Sequence, residues 1–352
     1  MKLIHTSDLH IGSPMTARLP REKIAERRRE LIESFRRVVE AGRAFGALGV
    51  IIAGDLFDSE VVTRRSAEAV ASVIAEAPEM KFFYLPGNHE KRAFLDCGVK
   101  IPENLVFFDT GWTYFDFDGV RIAGRSETAE GMFSSLELSA TGRNIVVLHG
   151  ELRDRSAPGG VIGEREVPEE VDLLCLGHYH SYSEKKLSRR TTAVYCGTPE
   201  GRGFDETGEK GFALLDLSEG GVSARFVPAA KRRLHIVSAD LTGAKTAYDV
   251  FRAAEDAVRE IPAKDLVRVL LTGGRSPDLR YGTEEIADRL AERFYCFEIK
   301  DESRLALNAE DYRYDKSLKG ELIRLVSADE SLSPDEKDAI IECGILALAG
   351  EV

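Results

Sequence analysis

The chain has 352 residues, a net charge of −12, and 43% apolar against 31% charged residues. That length allows one large core and a second, smaller domain, and the balance excludes a disordered or fibrous chain. An acidic total also excludes nucleic-acid binding through a uniformly basic surface, so any DNA affinity must come from local patches, metals or a partner.

In chain order, the short apolar run Leu3-Ile4 predicts a buried strand, with Asp8 and His10 just past its end. Residues two apart in extended chain point the same way, so a carboxylate and an imidazole arrive together at a strand mouth. A helix is expected from about Arg21 to Ala47, with Ile24, Leu31, Phe35, Val38 and Val39 on one side. Strand 49–53 runs into Gly54-Asp55-Leu-Phe-Asp58, a helix covers about 63–77, and strand 81–85 runs into Pro86-Gly87-Asn88-His89-Glu90. Strand and helix alternating in this way predict an α/β layer fold. Shorter strands follow near 106–108, 113–117 and 120–124, the last two joined by the hairpin signal Asp118-Gly119. Strand 144–148 ends in His149-Gly150 and strand 173–176 in Gly177-His178-Tyr179-His180, with residues 153–170 between them read as a mobile surface loop. Strands near 191–196, 211–217 and 222–227 complete a mixed layer.

A boundary is expected at Pro228–Arg233, dividing the chain into 1–228 and 234–352. Beyond it the pattern restarts as strand, helix, strand, helix, strand over 234–300, then two helices near 316–326 and 333–349. The last opens on Ser333-Pro334-Asp335-Glu336, an N-cap with Pro at the first helical position and acids in the first turn. Residues 301–352 are strongly acidic, and the basic clusters Arg27-Arg28-Arg29, Lys185-Lys186, Arg189-Arg190 and Lys231-Arg232-Arg233 read as solvated faces or, alternatively, DNA patches. No apolar run approaches the roughly 18 residues that span a bilayer. The five scattered cysteines lack metal or disulfide spacing, so reduced thiols and a cytoplasmic location are expected.

The chemistry gathers at the strand ends. They supply Asp8, His10, Asp55, Asn88, His89, His149, His178 and His180; among the histidines only His5, inside the first strand, and His235, in the tail, fall elsewhere. One strand-end histidine is ordinarily a satisfied polar residue, but several clusters in the same context point to a metal pair. Carboxylate, amide oxygen and imidazole together suit two transition ions such as Mn²⁺, Fe²⁺ or Zn²⁺. Two such ions can hold both the attacking and the leaving oxygen of a phosphoryl displacement.

The order D-x-H, G-D-x-x-D, G-N-H-E, strand-end H-G and G-H-x-H resembles the calcineurin-like metallophosphoesterases. The wording Asp8-Leu-His-Ile-Gly12, Gly54-Asp-Leu-Phe-Asp58 and Gly87-Asn-His-Glu90 is similar to their DNA-repair nuclease branch: bacterial SbcD and YhaO-like proteins and their archaeal and eukaryotic double-strand-break counterparts. Residues 13–35 are closer to the YhaO-like side. The resemblance implies a two-layered mixed β-sandwich flanked by helices, the metallophosphoesterase fold, followed by a small C-terminal α/β capping domain lining a groove. It implies one ion on Asp8, His10, Asp55 and His180, with Asp55 bridging to a second on Asn88, His149 and His178. It implies His89 as a proton donor to the leaving group rather than a ligand, a metal-activated hydroxide as nucleophile, and Mn²⁺ as the metal, with Fe or Zn as alternatives.

The function so implied is a Mn²⁺-dependent DNA exonuclease or endonuclease of repair. The alternatives are a phosphodiesterase or phosphatase on a small or nucleotide substrate, and a non-catalytic scaffold. The family also implies a homodimer through the helices at 21–47 and 63–77, where Val70, Val73 and Ile74 offer a second apolar surface, and an SMC-like coiled-coil ATPase as partner. The helix 333–349 is the candidate dock for that ATPase; the plainer expectation is that it packs on its own domain.

Overall fold

A computed structural model describes residues 1–15, 17, 19–87, 89–218, 221–306 and 309–350. The chain divides into two compact units, Met1–Arg233 and Leu234–Val352.

The first unit opens with β1 (Lys2–Thr6), α1 (Arg21–Phe45), β2 (Gly49–Ala53), α2 (Arg64–Ala75), β3 (Lys81–Leu85), the short α3 (Ala93–Asp96) and β4 (Leu105–Phe107). There follow β5 (Thr113–Phe117), β6 (Val120–Gly124), β7 (Arg143–His149), β8 (Glu151–Arg153), β9 (Val161–Gly163), β10 (Leu173–Gly177), β11 (Ser183–Lys186), β12 (Thr192–Tyr195), β13 (Gly211–Ser218) and β14 (Gly221–Pro228). One sheet has the order β14-β13-β1-β2-β3-β4, with β1 to β4 parallel and β13 and β14 antiparallel. The other runs β11-β12-β10-β7-β6-β5, parallel in its four central strands and antiparallel at both edges.

Alternation within the strands decides the packing. Leu3, Ile51, Ala53, Phe83 and Leu85 of the first sheet meet Ile122, Ile145, Val147, Leu173, Cys175 and Val194 of the second. The opposite faces of β1 to β3, with Ile4, Val50, Ile52, Phe82 and Tyr84, are covered by Leu31, Phe35 and Val38 of α1 and Val70, Val73 and Ile74 of α2. Helix α1 stops at Gly46, whose left-handed φ of 69° closes it; α2 starts where the Thr63 side chain accepts from Ser66 N–H. The result is a two-layered mixed β-sandwich with flanking helices, as expected. Both sheets bring the carboxyl ends of parallel strands to one edge, where open α/β sheets place ligands.

Four details differ from the sequence reading. Residues 153–170 are not simply a loop, because β8 and β9 pair in parallel within 151–163. Strand β11, Ser-Glu-Lys-Lys, was not foreseen; it is exposed along its length and has no apolar alternation to reveal it. The basic clusters at 27–29 and 231–233 are not solvated faces throughout: Arg27 and Arg232 are buried in ion pairs with Glu30. The apolar stripes of α1 and α2 pack on the chain's own core, where Leu31, Phe35, Val38, Val39, Val70, Val73 and Ile74 are buried and Ile24 is partly buried.

The second unit contains β15 (Leu234–Asp240), α4 (Ala247–Ala257), β16 (Leu266–Thr272), β17 (Gly274–Arg275), α5 (Thr283–Ala291), β18 (Cys296–Asp301), β19 (Arg304–Leu305), α6 (Leu318–Ala328) and α7 (Pro334–Ala349). Strands β15, β16 and β18 form a parallel sheet against α4 and α5. Helix α7 begins with a capping box of Ser333 and Glu336 and Pro334 in its first turn, and Ile341 and Ile345 pack on Leu305 and Ile323. Among the described residues, no helix is long and apolar enough to cross a membrane.

Candidate metal centre

Two loops carry the first carboxylates side by side. Asp8 N–H donates to Gly54 O and His10 N–H to Asp55 O, both at 3.0 Å, so residues 8–11 and 54–58 prolong the parallel pairing of β1 and β2. To turn the side chains inward, the backbone leaves its ordinary region. Asp8, His10 and Asp55 have φ of 52°, 47° and 49°, and His178 stands at 105°. Positive φ is rare for residues with a Cβ, and strain of this kind collects at functional sites. The glycines leave no spare room. A Cβ on Gly54 would lie 2.1 Å from His149 Nδ1, and one on Gly87 2.1 Å from Asp55 Oδ1.

Among the described residues, three groups of side chains come together with ligand atoms within 4.8 Å of one another: Asp8, His10 and His180; Asp8, Asp55 and His149; and His10, Asp58 and His89. Asp55 Oδ2 lies 3.1 Å from His149 Nε2, 4.0 Å from His10 Nε2 and 3.9 Å from His89 Nε2. His180 Nε2 is 3.7 Å from Asp8 Oδ1 and 3.3 Å from His10 Nε2. His178 N–H donates to both oxygens of Asp8, at 3.1 and 3.0 Å, and the Ser7 hydroxyl donates to Oδ2. The His178 ring stands beside His149 at 5.7 Å between centroids, outside the three groups. Asn88, the remaining expected ligand, lies outside the described residues. His89 is the exposed member, its ring Nδ1 3.3 Å from the Asp58 carbonyl.

Electrostatics follow from crowding. Burial opposes ionisation of Asp55, but the close contact and charge of His149, with the charges of His10 and His89, outweigh it and hold the carboxyl below its usual range. Burial also disfavours a charged His149, yet Asp55 and Asp8 push it up to about 9. His178 is lowered by burial and by the neighbouring His149. Glu90 is pushed up to about 7 by burial and by Asp55; its Oε1 accepts from Leu56 N–H, Gly87 N–H and the Tyr84 hydroxyl, tying the two loops together.

The donor set fits divalent cations. Asp8 and Asp55 are almost wholly buried, and His149 Nε2 is buried without a hydrogen bond of good geometry. Two imidazole nitrogens 3.3 Å apart, on His10 and His180, cannot both donate to each other, but their lone pairs can converge on one ion. His149 receives support from behind, where its Nδ1 lies 2.9 Å from the Ala53 carbonyl, the outer contact typical of a ligating histidine.

Residues 1–182, more than half of the chain, match the family profile described as calcineurin-like phosphoesterase. The chain belongs to the calcineurin-like phosphoesterase family. Among curated calcineurin-like relatives, it is 25% identical to the DNA double-strand break repair protein Mre11 of Methanosarcina acetivorans over 74% of this chain and 44% of that protein. It is 26% identical to the uncharacterized metallophosphoesterase YhaO of Bacillus subtilis, over 78% of this chain and 72% of that protein. The chain thus spans less than half the length of that Mre11. A dimetal phosphatase from Danio rerio is a structural neighbour at 13% identity and TM-score 0.42, covering 65% of this chain and 98% of that one. The family takes its name from phosphoester chemistry.

Sequence reasoning placed the motif residues but not their supports. Ser7, Glu90, Arg202 and Glu206 were given no role, and Asp58 was quoted only within its motif. Asp58 and Glu90 belong to motifs already seen; Arg202 and Glu206 lie between the strands expected near 191–196 and 211–217, where no motif stands.

Proposed function

We propose that the protein is a dinuclear-metal phosphodiesterase acting on DNA ends as a repair nuclease, with Mn²⁺ as its metal. The observation that carries this reading is the convergence of Asp8, His10, Asp55, His149 and His180 at one sandwich edge, with His89 exposed at its rim. Asp8, His10 and His180 would hold one ion, Asp55 would reach both, and His149, with His178 and Asn88, would complete the second. Held there, two ions would supply acidification of water and stabilisation of charge on the phosphoryl oxygens.

The chain's own residues do the rest. With Nδ1 of His89 facing the Asp58 carbonyl, Nε2 is the atom left to carry a proton to a departing alkoxide. Asp8 keeps His178 in place through the backbone bonds described, and Ala53 O selects Nε2 of His149 as the nitrogen turned toward Asp55. The kinship with proteins named for double-strand break repair supports DNA over a small substrate, and an SMC-like ATPase and a second copy of the chain are the partners this reading includes. A cytoplasmic location accords with it.

The test compares single-stranded DNA, blunt duplex and bis-p-nitrophenyl phosphate, each with Mn²⁺ and with chelator. Chelator-sensitive cleavage of DNA at a higher kcat/KM than the small ester supports the nuclease. Cleavage of the ester alone would assign a small-molecule phosphodiesterase instead.

A further inference from the structure

Behind two of the candidate ligand imidazoles lies a cluster the mechanism above does not use. Arg202 donates through Nη1 to Asp58 Oδ1 at 2.8 Å, and through Nε and Nη2 to Glu206 Oε1 at 3.0 and 2.7 Å. Its backbone N–H donates to the other oxygen of Glu206 at 2.7 Å. Glu206 Oε1 is in turn hydrogen-bonded to His180 Nδ1 at 2.8 Å, with Arg202 Nη2 3.4 Å from the same nitrogen; Asp58 Oδ1 is 3.0 Å from His10 Nδ1, a charge contact without hydrogen-bond geometry. Lys210 adds a bond from Nζ to the His180 carbonyl at 2.7 Å.

The arrangement is costly unless it has a purpose. Glu206 is 3% exposed, and a buried carboxylate is tolerated only when paired. Each carboxylate lies at the Nδ1 side of one histidine, which leaves both Nε2 atoms facing the centre, 3.3 Å apart. A single planar guanidinium spans the two carboxylates, a task its fork geometry suits and a lysine ammonium does not.

We propose that Arg202 and Glu206, with Asp58, form a bracket that fixes the tautomer and direction of His180, holds a negative charge beside His10, and thereby sets the affinity of one of the two ions. Arg202 and Glu206 are then positioning residues, not ligands. The inference rests on the reading of Asp8, His10 and His180 as a ligand set.

Calorimetric titration of the metal-free full chain with Mn²⁺ tests it, alongside the melting temperature of each metal-free protein. Glu206→Ala should weaken one ion by about 10–100-fold, the span usual for loss of an outer-shell partner, and leave the other ion unchanged. Glu206→Gln keeps an acceptor without charge and should fall between Glu206→Ala and the parent. Arg202→Lys should weaken the same ion, and it carries the test if Glu206→Ala does not fold. Parent-like affinity for both ions in Glu206→Gln and Arg202→Lys would overturn the bracket. So would equal weakening of both ions together with a lower metal-free melting temperature, which marks a general structural role. Asp8→Asn separates the two levels: if it still binds both ions tightly, the ligand reading itself fails.

Discussion

Asp55 is the residue on which most of the centre's charge converges, with three imidazoles within 4.0 Å of its Oδ2. Asp55→Asn keeps the shape but removes the charge, so phosphodiester cleavage should vanish while the fold persists. Elemental analysis after reconstitution checks this, and two tightly bound ions in the variant would contradict a bridging role. His89→Ala should keep both ions yet lose roughly 10²–10⁴-fold in cleavage of DNA, the span of general acid catalysis. With a p-nitrophenolate leaving group, which scarcely needs a proton, the loss should be far smaller. Equal losses on both substrates would instead make His89 a positioning group. The residues that spoke from the sequence did so because their motifs are local: Asp8 with His10, His178 with His180. Glu206 meets His180 across 26 residues of chain and Arg202 meets it across 22, with no spacing rule to announce either. The left-handed backbone at Asp8, His10 and Asp55 was equally silent, since no residue type there demands it.

Among the elements, α1 is tied down by more than its apolar stripe. Arg27, 1% exposed, donates to Glu30 and to Glu200 Oε1, the latter at 3.0 Å, while Arg232 and Lys231 also reach Glu30. Burial resists a charged Glu30, but Arg232, Lys231 and Arg27 together lower its carboxyl to about 2 from an ordinary 4.5. A carboxyl lowered by folding stabilises the native state fully above its unfolded value and loses that contribution as pH falls toward the folded one. The window is therefore about pH 4.5 down to 2. Glu30→Gln should cost about 3 kcal/mol at neutral pH, and the difference from the parent should shrink across that window. Urea denaturation at several pH values measures it; a difference constant with pH would refute the assignment. Strands such as 81–85 and 113–117 were legible to the residue because apolar runs bounded by Pro, Gly or Asp leave little choice. The hairpin at Asp118-Gly119 has φ of 49° and 79° at its two central residues, as such a turn requires. Strands β8, β9 and β11 escaped because they are too short or too polar for periodicity to register.

For the molecule as a whole, the open question with a definite measurement is association. With most of the large apolar residues of α1 and α2 buried, a two-fold contact through these helices would rest largely on exposed charges such as Arg29, Glu33, Arg65 and Glu68. It should therefore weaken as salt rises. Light scattering at micromolar concentration, with and without Mn²⁺ and duplex DNA, decides: a mass fixed at 38.9 kDa in every condition rules the dimer out. The centre itself draws on positions from Asp8 to Glu206, brought together only when β10 and the loop after it have joined the sandwich. A ribosome adding about 5–20 residues per second needs roughly 10–40 s to travel between those two codons. Through that interval the nascent chain carries Asp8 and His10 with the set around them incomplete, His178 and His180 arriving late and Glu206 last. On the proposed ligand set, tight metal capture would follow the arrival of the second sheet, and the moment of loading would be a clock for the completion of folding.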